Sequence, residues 1–213
     1  MDDGLIDDIA LASSSVVANN AMNRGRGLAS YRRHLGFDPV AMVCDRGWLD
    51  LCCGEARALI DAADLVGGAP LVGVDLVGYF RAAPAAVDLR VSSLPDFHTD
   101  DRFDLITCVH GLHYVGDRLG VLAKAALWLA DDGLLVADFD ARDVRGPDGR
   151  PLGRPLLTAL REAGFDYDSR RRRVSCRGRA AVHFPFTYRG ADVAAGPNYT
   201  GQDTVHAYYD SHG

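Results

Sequence analysis

The chain has 213 residues, 48% of them hydrophobic, which is enough apolar material for one soluble domain with a full core. Its net charge of -6 argues against nucleic acid or an anionic membrane as the main partner, because both favour basic surfaces. No apolar run is long enough to span a membrane and the first residues lack the features of a secretion signal, so we expect a cytoplasmic protein.

The predicted elements alternate between helices and strands, a pattern typical of α/β folds. One or two helices are predicted within residues 13–35, with an interruption at Gly25 and Gly27 because glycine weakens a helix. The strands that follow are almost continuously apolar, as in a parallel sheet that is covered on both faces. Five strands are predicted at 47–53, 71–77, 86–92, 103–109 and 133–139, with helices at 57–63 and 118–130.

The pattern changes after the fifth strand. A helix is predicted at 156–163, and two runs that flank Gly178, at 172–177 and 180–188, predict an antiparallel hairpin at one edge of the sheet. The tail is rich in turns and then weakly helical up to Tyr209. We therefore expect a single domain with a helical lid at 1–45, a cofactor-binding core at 46–140, a helix and hairpin at 141–192 and a tail near the site at 193–213.

The end of the first predicted strand is the most informative feature of the chain. Apolar residues 48–51 lead into a turn of small residues and the start of a helix, and the second strand ends at Asp75. In a nucleotide-type cofactor site, such a turn lets the ligand approach the backbone and such an acid binds a ribose. Cys52, Gly54 and Arg57 occupy the three glycine positions of the dinucleotide-binding fingerprint, which argues against an NAD-dependent dehydrogenase.

From about residue 48 to residue 139, these motifs resemble the class I S-adenosylmethionine-dependent methyltransferases. Asp50 and the turn after it resemble the first-strand element of that family, with Cys52 and Ala56 at two of its usual glycine positions. Asp75 stands where the family has its ribose-binding acid. Two further matches are the adenine-contacting turn, at 92–95, and the fourth-strand signature, at 103–106 with 112–114.

The resemblance implies a Rossmann-like three-layer α/β sandwich, with a mostly parallel seven-stranded sheet and a C-terminal antiparallel hairpin. It also implies S-adenosyl-L-methionine as the cofactor and S-adenosyl-L-homocysteine as the product. Gly54 would let the backbone approach the cofactor, and Asp75 would accept hydrogen bonds from both ribose hydroxyls. Asp50 is expected to fix the turn and the ammonium side of the cofactor. The predicted cofactor-binding residues are Asp50, Cys52, Gly54, Asp75, Leu76, Ser92, Ser93, Leu94, Cys108, Arg24 and Tyr31.

Two histidines are the candidates for catalysis. Methyl transfer is an in-line displacement, so the enzyme contributes mainly by holding the acceptor near the methyl carbon, and a base is optional. His110 and His113 follow the fourth strand, where an imidazole could deprotonate an oxygen acceptor at neutral pH. The alternative for each is a structural ring that packs against a helix or bonds a backbone carbonyl.

Substrate contacts are predicted outside the generic pattern of the family. Asn198, Tyr199 and Gln202 could form a lid over an organic substrate, with packing against the sheet as the alternative. Asp138 and Asp140 follow the fifth strand and could receive a substrate amine or cap a turn. The predicted substrate-binding residues are Tyr114, Asp140, Asn198, Tyr199 and Gln202.

Further features each allow a functional and a structural explanation. Arg24 and Tyr31 could close over the cofactor's carboxylate or lie on a solvated helix. The arginines at 170–173 could bind an acidic substrate, although charge that protects a strand edge is the usual meaning of such a run. The five cysteines are expected to be reduced. Neighbouring Cys52 and Cys53 point to opposite faces of a strand and cannot chelate one ion, so no metal is predicted.

The sequence therefore predicts an enzyme that methylates an O or N atom of a small molecule or a short peptide, in specialised biosynthesis. It is expected to act as a monomer or homodimer, without nucleic acid or membrane partners. The alternative is a protein of the same fold that binds the cofactor but catalyses a cyclisation or elimination, or serves as a binding partner.

Overall fold

The protein is organised around two β-sheets, and the computed structural model describes residues 4–18, 25–197, 201 and 203–211. The strands are β1 (Trp48–Leu51), β2 (Leu71–Asp75), β3 (Val87–Val91), β4 (Phe103–Cys108), β5 (Leu129–Asp138), β6 (Val144–Arg145), β7 (Phe165–Asp168), β8 (Arg173–Arg177), β9 (Phe186–Asp192) and β10 (His206–Ser211). The helices are α1 (Asp8–Ala12), α2 (Ser15–Ala18), α3 (Leu28–Leu35), α4 (Arg57–Ala62), α5 (Arg118–Leu127) and α6 (Arg154–Glu162). Within the described part of the chain, no helix has the length and apolar character that crossing a membrane requires.

Seven strands form the larger sheet in the order β3-β2-β1-β4-β5-β8-β7. The first five are parallel to one another, whereas β8 runs antiparallel to both β5 and β7. Trp48 and Leu105 belong to one apolar cluster and their chain neighbours Leu49 and Ile106 to another, because successive side chains of a strand face opposite sides. The first cluster includes residues of α3 and α4, the second includes residues of α5 and α6, and the result is the predicted three-layer sandwich.

The antiparallel pair at the edge of the sheet is confirmed, but the strands predicted for it are wrong. The run at 172–177 pairs with β7 on one side and with β5 on the other, so neither side is left for residues 180–188. Gly178 lies against β5, since its N–H donates to the carbonyl of Gly133 at 2.9 Å. The sequence did not indicate β7, because only Phe165 of its four residues is buried.

The second sheet joins β6, β10 and β9, in that order. The predicted weak helix in the tail is wrong, because residues 206–211 alternate between half-buried and buried positions, with Ala207 and Tyr209 facing inward, and form β10. The N-terminal segment is attached to this sheet. Ile6 and Ala191 exchange two backbone hydrogen bonds of 2.9 Å, and the hydroxyl of Tyr188 lies 3.1 Å from a carboxylate oxygen of Asp8.

Candidate active site

Two adjoining cavities lie where the parallel strands end, with volumes of about 530 and 440 Å³. This edge of an open α/β sheet is where such folds bind their ligands. The predicted residues that line the first cavity are Cys52, Gly54, Asp75, Leu76, His110 and Tyr114. Those that line the second are Cys52, Leu76, Ser92, Ser93, Leu94 and Tyr114. The cavities share Val17, Cys52, Leu76 and Tyr114, so they form one cleft.

The turn after β1 has left-handed backbone at every second residue. The φ angles are 57° at Cys52, 61° at Gly54 and 59° at Ala56. An L-residue other than glycine pays about 1–2 kcal/mol for this conformation, so the two side chains are tolerated only because the surrounding structure requires the turn. The backbone path expected for a glycine-rich turn is therefore present although only one of the three residues is glycine.

Asp75 is fixed at the rim by the backbone around it. One carboxylate oxygen accepts a hydrogen bond from the N–H of Gly54 at 2.9 Å, and the other accepts one from the N–H of Val77 at 3.0 Å. These contacts tie the end of β2 to the turn after β1. They place the carboxylate in the wall of the first cavity, where its remaining lone pairs could accept hydrogen bonds from hydroxyl groups.

The second cavity is mostly apolar, and residues of the N-terminal helices contribute to its lining. Leu11 of α1 and Val17 of α2 line it together with Leu76 and Leu94. The turn at 92–95 is held by backbone groups, since Ser92 donates its N–H to the carbonyl of Asp75 at 3.0 Å. Lys124 donates to the carbonyl of Pro95 at 2.6 Å. Such an apolar pocket with a few fixed polar atoms suits a flat ring.

Tyr31 and Asp50 lie beneath the turn and line neither cavity. The hydroxyl of Tyr31 donates to Asp50 at 2.8 Å, and the hydroxyl of Thr107 donates to the same carboxylate at 2.6 Å. Both residues are at most 2% exposed. Burial raises the pKa of Asp50 to about 7, although the bonds from Thr107 and Tyr31 oppose this. The structure thus buries Tyr31 and Asp50 in a hydrogen-bonded group with Thr107, outside the lining of both cavities.

Arg26 lines the first cavity and was missed by the sequence analysis, which chose Arg24 two residues earlier. Arg26 donates from Nη2 to the carbonyl of Val109 at 3.1 Å, which holds it across the end of β4. The two arginines occur in one short Arg-Gly-Arg run, so no local signal distinguishes them. Arg24 lies outside the described residues, as do Asn198, Tyr199 and Gln202.

His110 also lines the first cavity. Its backbone has a left-handed φ of 56°, and its N–H donates to Asp138 at 2.9 Å. Nδ1 of its ring lies 3.5 Å from the same carboxylate oxygen. Burial lowers the pKa of His110 to about 4, and the charge of Asp138 only partly offsets this. The ring is therefore neutral at pH 7.

Asp138 is shared between several neighbours and is 1% exposed. Its two oxygens lie 2.9 and 2.7 Å from Nε2 of His34, and Nε of Arg173 lies 3.5 Å from it. The potential ligand atoms of His34, His110 and Asp138 all lie within 4.8 Å of one another, a grouping the sequence analysis did not predict. His34 belongs to α3, so no pattern near the fourth or fifth strand could have indicated it.

Three other predicted residues lie outside the walls of both cavities. His113 is 1% exposed, with Nδ1 3.8 Å from Asp143, and its carbonyl accepts hydrogen bonds from residues that lead into β10. Asp140 is 2% exposed and forms ion pairs with Arg142 and Arg172 at 3.0 and 3.4 Å. Cys108 is buried in the core. The structure thus gives these side chains packing and charge-pairing partners outside the lining of the two cavities.

Comparison with known proteins gives one family match and several similar solved structures. A family model described as a methyltransferase domain matches residues 28–189. No curated protein matches the chain in sequence. Similar solved structures include the plantazolicin methyltransferase BpumL, with 15% identity over 52% of this chain and 42% of that one and a TM-score of 0.41. CalS10, an amino pentose methyltransferase from Micromonospora echinaspora, has 22% identity over 54% and 52% and a TM-score of 0.44.

Coclaurine N-methyltransferase is a third similar structure, with 19% identity over 52% of this chain and 34% of that one and a TM-score of 0.42. The match thus spans about half or less of each of these three proteins. The family match is the stronger finding, because it covers most of the chain. The chain therefore belongs to the methyltransferase domain family, as its resemblance to the class I enzymes implies.

Proposed function

We propose that the protein uses S-adenosyl-L-methionine to methylate an O or N atom of a small molecule or short peptide. One observation carries this proposal: a single cleft is lined by the fixed acid Asp75, by the left-handed turn after β1 and by the neutral imidazole of His110. We call the wall formed by Cys52, Gly54, Asp75 and residues 92–94 the cofactor side. We call the wall formed by His110 with His34 and Asp138 behind it the acceptor side.

The residues of the cofactor side fit the parts of this cofactor. Asp75 would accept hydrogen bonds from a ribose diol, and charge-assisted bonds of this kind are stronger than neutral ones. The apolar second cavity would hold the adenine ring between Leu76 and Leu94. Arg26 lies in the wall of the same cleft and could pair with the carboxylate of the methionine end. When bound, the cofactor supplies an electrophilic methyl group.

His110 would act on the acceptor. A neutral imidazole in the cavity wall can take the proton from an acceptor hydroxyl or amine. The lone pair of the acceptor oxygen or nitrogen meanwhile attacks the methyl carbon. The larger contribution to the rate comes from holding the acceptor next to the methyl group, because two reactants bound in one cleft need not meet by diffusion in solution. Tyr114 lines both cavities and could contact the acceptor where the two sides meet.

A small acceptor is supported by the size and charge of the protein. The chain has 213 residues, and its net charge of -6 disfavours nucleic acid as the acceptor. A place in specialised biosynthesis and a monomeric or homodimeric state remain predictions of the sequence. The lid proposed for residues 1–45 is supported by the position of α1 and α2 over the second cavity.

Calorimetry and product detection test the proposal in two steps. Titration of the protein with S-adenosyl-L-methionine should show saturable binding at one site. Incubation with panels of phenols, carboxylic acids, amines and short peptides should then release S-adenosyl-L-homocysteine with at least one class. Absence of binding contradicts the proposal. Binding without product from any panel favours the alternative of a cofactor-binding protein that does not transfer methyl groups.

A further inference from the structure

The acceptor side is built by three residues from distant parts of the chain. His34 comes from α3, His110 follows β4 and Asp138 ends β5. The rings of His34 and His110 are 4.5 Å apart, and both approach the same carboxylate. The exposed fractions of the side chains differ, at 27% for His34, 18% for His110 and 1% for Asp138. A buried anion thus stands behind the imidazole that lines the cavity.

Asp138 holds both the backbone and the ring of His110. One of its oxygens accepts the backbone N–H at 2.9 Å and lies 3.5 Å from Nδ1. The left-handed φ of 56° at His110 is unfavourable for a residue with a Cβ and persists only where neighbours hold it. A proton on Nδ1 facing the carboxylate leaves Nε2 as the acceptor nitrogen.

Asp138 is in turn held by α3 and β8. Nε2 of His34 bridges its two oxygens at 2.9 and 2.7 Å. Arg173 places Nε 3.5 Å from the carboxylate and donates its two other nitrogens to the carbonyls of Leu35 and His34, at 3.1 and 2.9 Å. These bonds join the C-terminal end of α3 to the strands that end at the cleft.

We propose that Asp138 and His34 are positioning residues that act through His110, Asp138 by holding its ring with Nε2 available to the acceptor and His34 by fixing and tuning that carboxylate. The inference rests on the proposed function, since it requires a protic acceptor in the first cavity. One proton moves in the step: the acceptor O–H or N–H bond breaks, and the proton binds Nε2 of His110. The resulting imidazolium is stabilised by Asp138.

A metal ion is the competing occupant of this cluster, because its three potential ligand atoms lie within 4.8 Å of one another. Two observations favour the positioning role. The guanidinium of Arg173 already lies 3.5 Å from Asp138 and would repel a second cation. The backbone N–H of His110 also occupies the carboxylate oxygen that is nearest to its ring.

The pKa of His110 depends on the charged and titratable groups around it, and replacing them tests the proposal. Asp138 raises its pKa, whereas Arg26, His34 and His113 lower it, and burial is the largest influence. Replacing Asp138 should therefore lower the pKa of His110 further. Replacing His34 should raise the pKa of His110, because the electrostatic influence of His34 that lowers it is then removed.

The experiment is an NMR titration of the full chain with 13C-labelled histidines. We expect the pKa of His110 to rise in His34→Gln, which keeps a donor for Asp138, and to fall in Asp138→Asn. His98→Gln, at an exposed histidine, is the control and should leave it unchanged. If Asp138→Asn does not fold, His34→Gln still decides. An unchanged pKa of His110 in His34→Gln overturns the inference.

Two further measurements separate the competing explanations. Titration with zinc ions that shows tight, stoichiometric binding lost in His34→Gln would identify a metal site and overturn the positioning role. Titration of the His34→Gln variant with S-adenosyl-L-methionine should give the affinity of the unmodified protein. If the unmodified protein itself does not bind this cofactor, the proposed function fails, and the NMR result on the cluster stands separately.

Discussion

The two sides of the cleft are built in different ways. On the cofactor side, backbone groups of turns that follow neighbouring strands hold the side chain in place, as where the N–H groups of Gly54 and Val77 donate to Asp75. On the acceptor side, side chains from α3, β5 and the end of β4 meet through long-range contacts, such as His34 with Asp138, 104 residues apart. A site made of local turns is encoded in short motifs, whereas a site made of distant side chains exists only in the folded chain.

The largest effect is expected on the acceptor side. Replacing His110 by glutamine should slow methyl transfer by about 100-fold, because general base catalysis typically contributes that much or more. Affinity for S-adenosyl-L-methionine should stay within about twofold of the unmodified protein, since Asp75 and the turn are untouched. Steady-state kinetics with an acceptor from the panels, together with calorimetry, would measure both.

His98→Gln provides the matched control, because this histidine is exposed and lies outside both cavities. An unchanged turnover in His110→Gln would remove the base from the mechanism and leave positioning of the acceptor as the whole contribution of this wall.

The next largest effect is expected on the cofactor side. Asp75→Ala should weaken binding of S-adenosyl-L-methionine by about 2 kcal/mol, roughly thirtyfold, through the loss of charge-assisted bonds to the ribose. Asp88→Ala, at an exposed acid of the neighbouring strand β3, should leave the affinity unchanged. Equal affinities of the two variants in calorimetry would exclude Asp75 as the ribose ligand.

Gly111 tests the junction between the two sides. A Cβ at this position would lie 2.3 Å from the Cβ of Cys52 and 2.9 Å from the sulfur of Cys108, so one of them must move. We expect Gly111→Ala to lower the free energy of unfolding by about 1–3 kcal/mol, as overpacking usually does. At Gly146 the nearest atoms would be 3.3 Å away or more, and Gly146→Ala should be much milder in urea denaturation. Similar losses in both variants would contradict this explanation.

The smallest effect is a difference in pH dependence between the two sides. The pKa of His110 is lowered to about 4 from 6.5, chiefly by burial, so between these values the unfolded chain binds a proton that the folded one does not. This residue should reduce stability as the pH falls through that window. Asp50, with a pKa raised by burial to about 7 from 3.8, should have the opposite effect and add stability as the pH falls from 7.

Thermal unfolding of two variants would separate these contributions. Relative to the unmodified protein, His110→Gln should lose less stability on acidification, whereas Asp50→Asn should lose more. Parallel curves for all three proteins would show that neither group carries the pH dependence.

Much of the fold could be predicted because the strands that build it are strongly apolar. β1, β2, β4 and β5 were located within a few residues, since burial on both faces leaves a continuous hydrophobic run. The antiparallel strands at the edge of the sheet were harder to predict. β7 is mostly polar, and β8 could have paired with either flanking run, a choice that depends on which edge of β5 remains open. β10 was missed because two-residue alternation in a short tyrosine-rich tail is a weak signal.

The sequence by itself determined the family and the cofactor side, because a strand, a small-residue turn and an acid at the end of the next strand are neighbours along the chain. Only the tertiary structure decided the acceptor side. It brought His34 to Asp138, set Arg26 in the cavity wall, and buried Tyr31 and His113 away from it. The physical reason is that a side chain's solvent exposure and partners depend on how distant helices pack on the sheet, which no local pattern records.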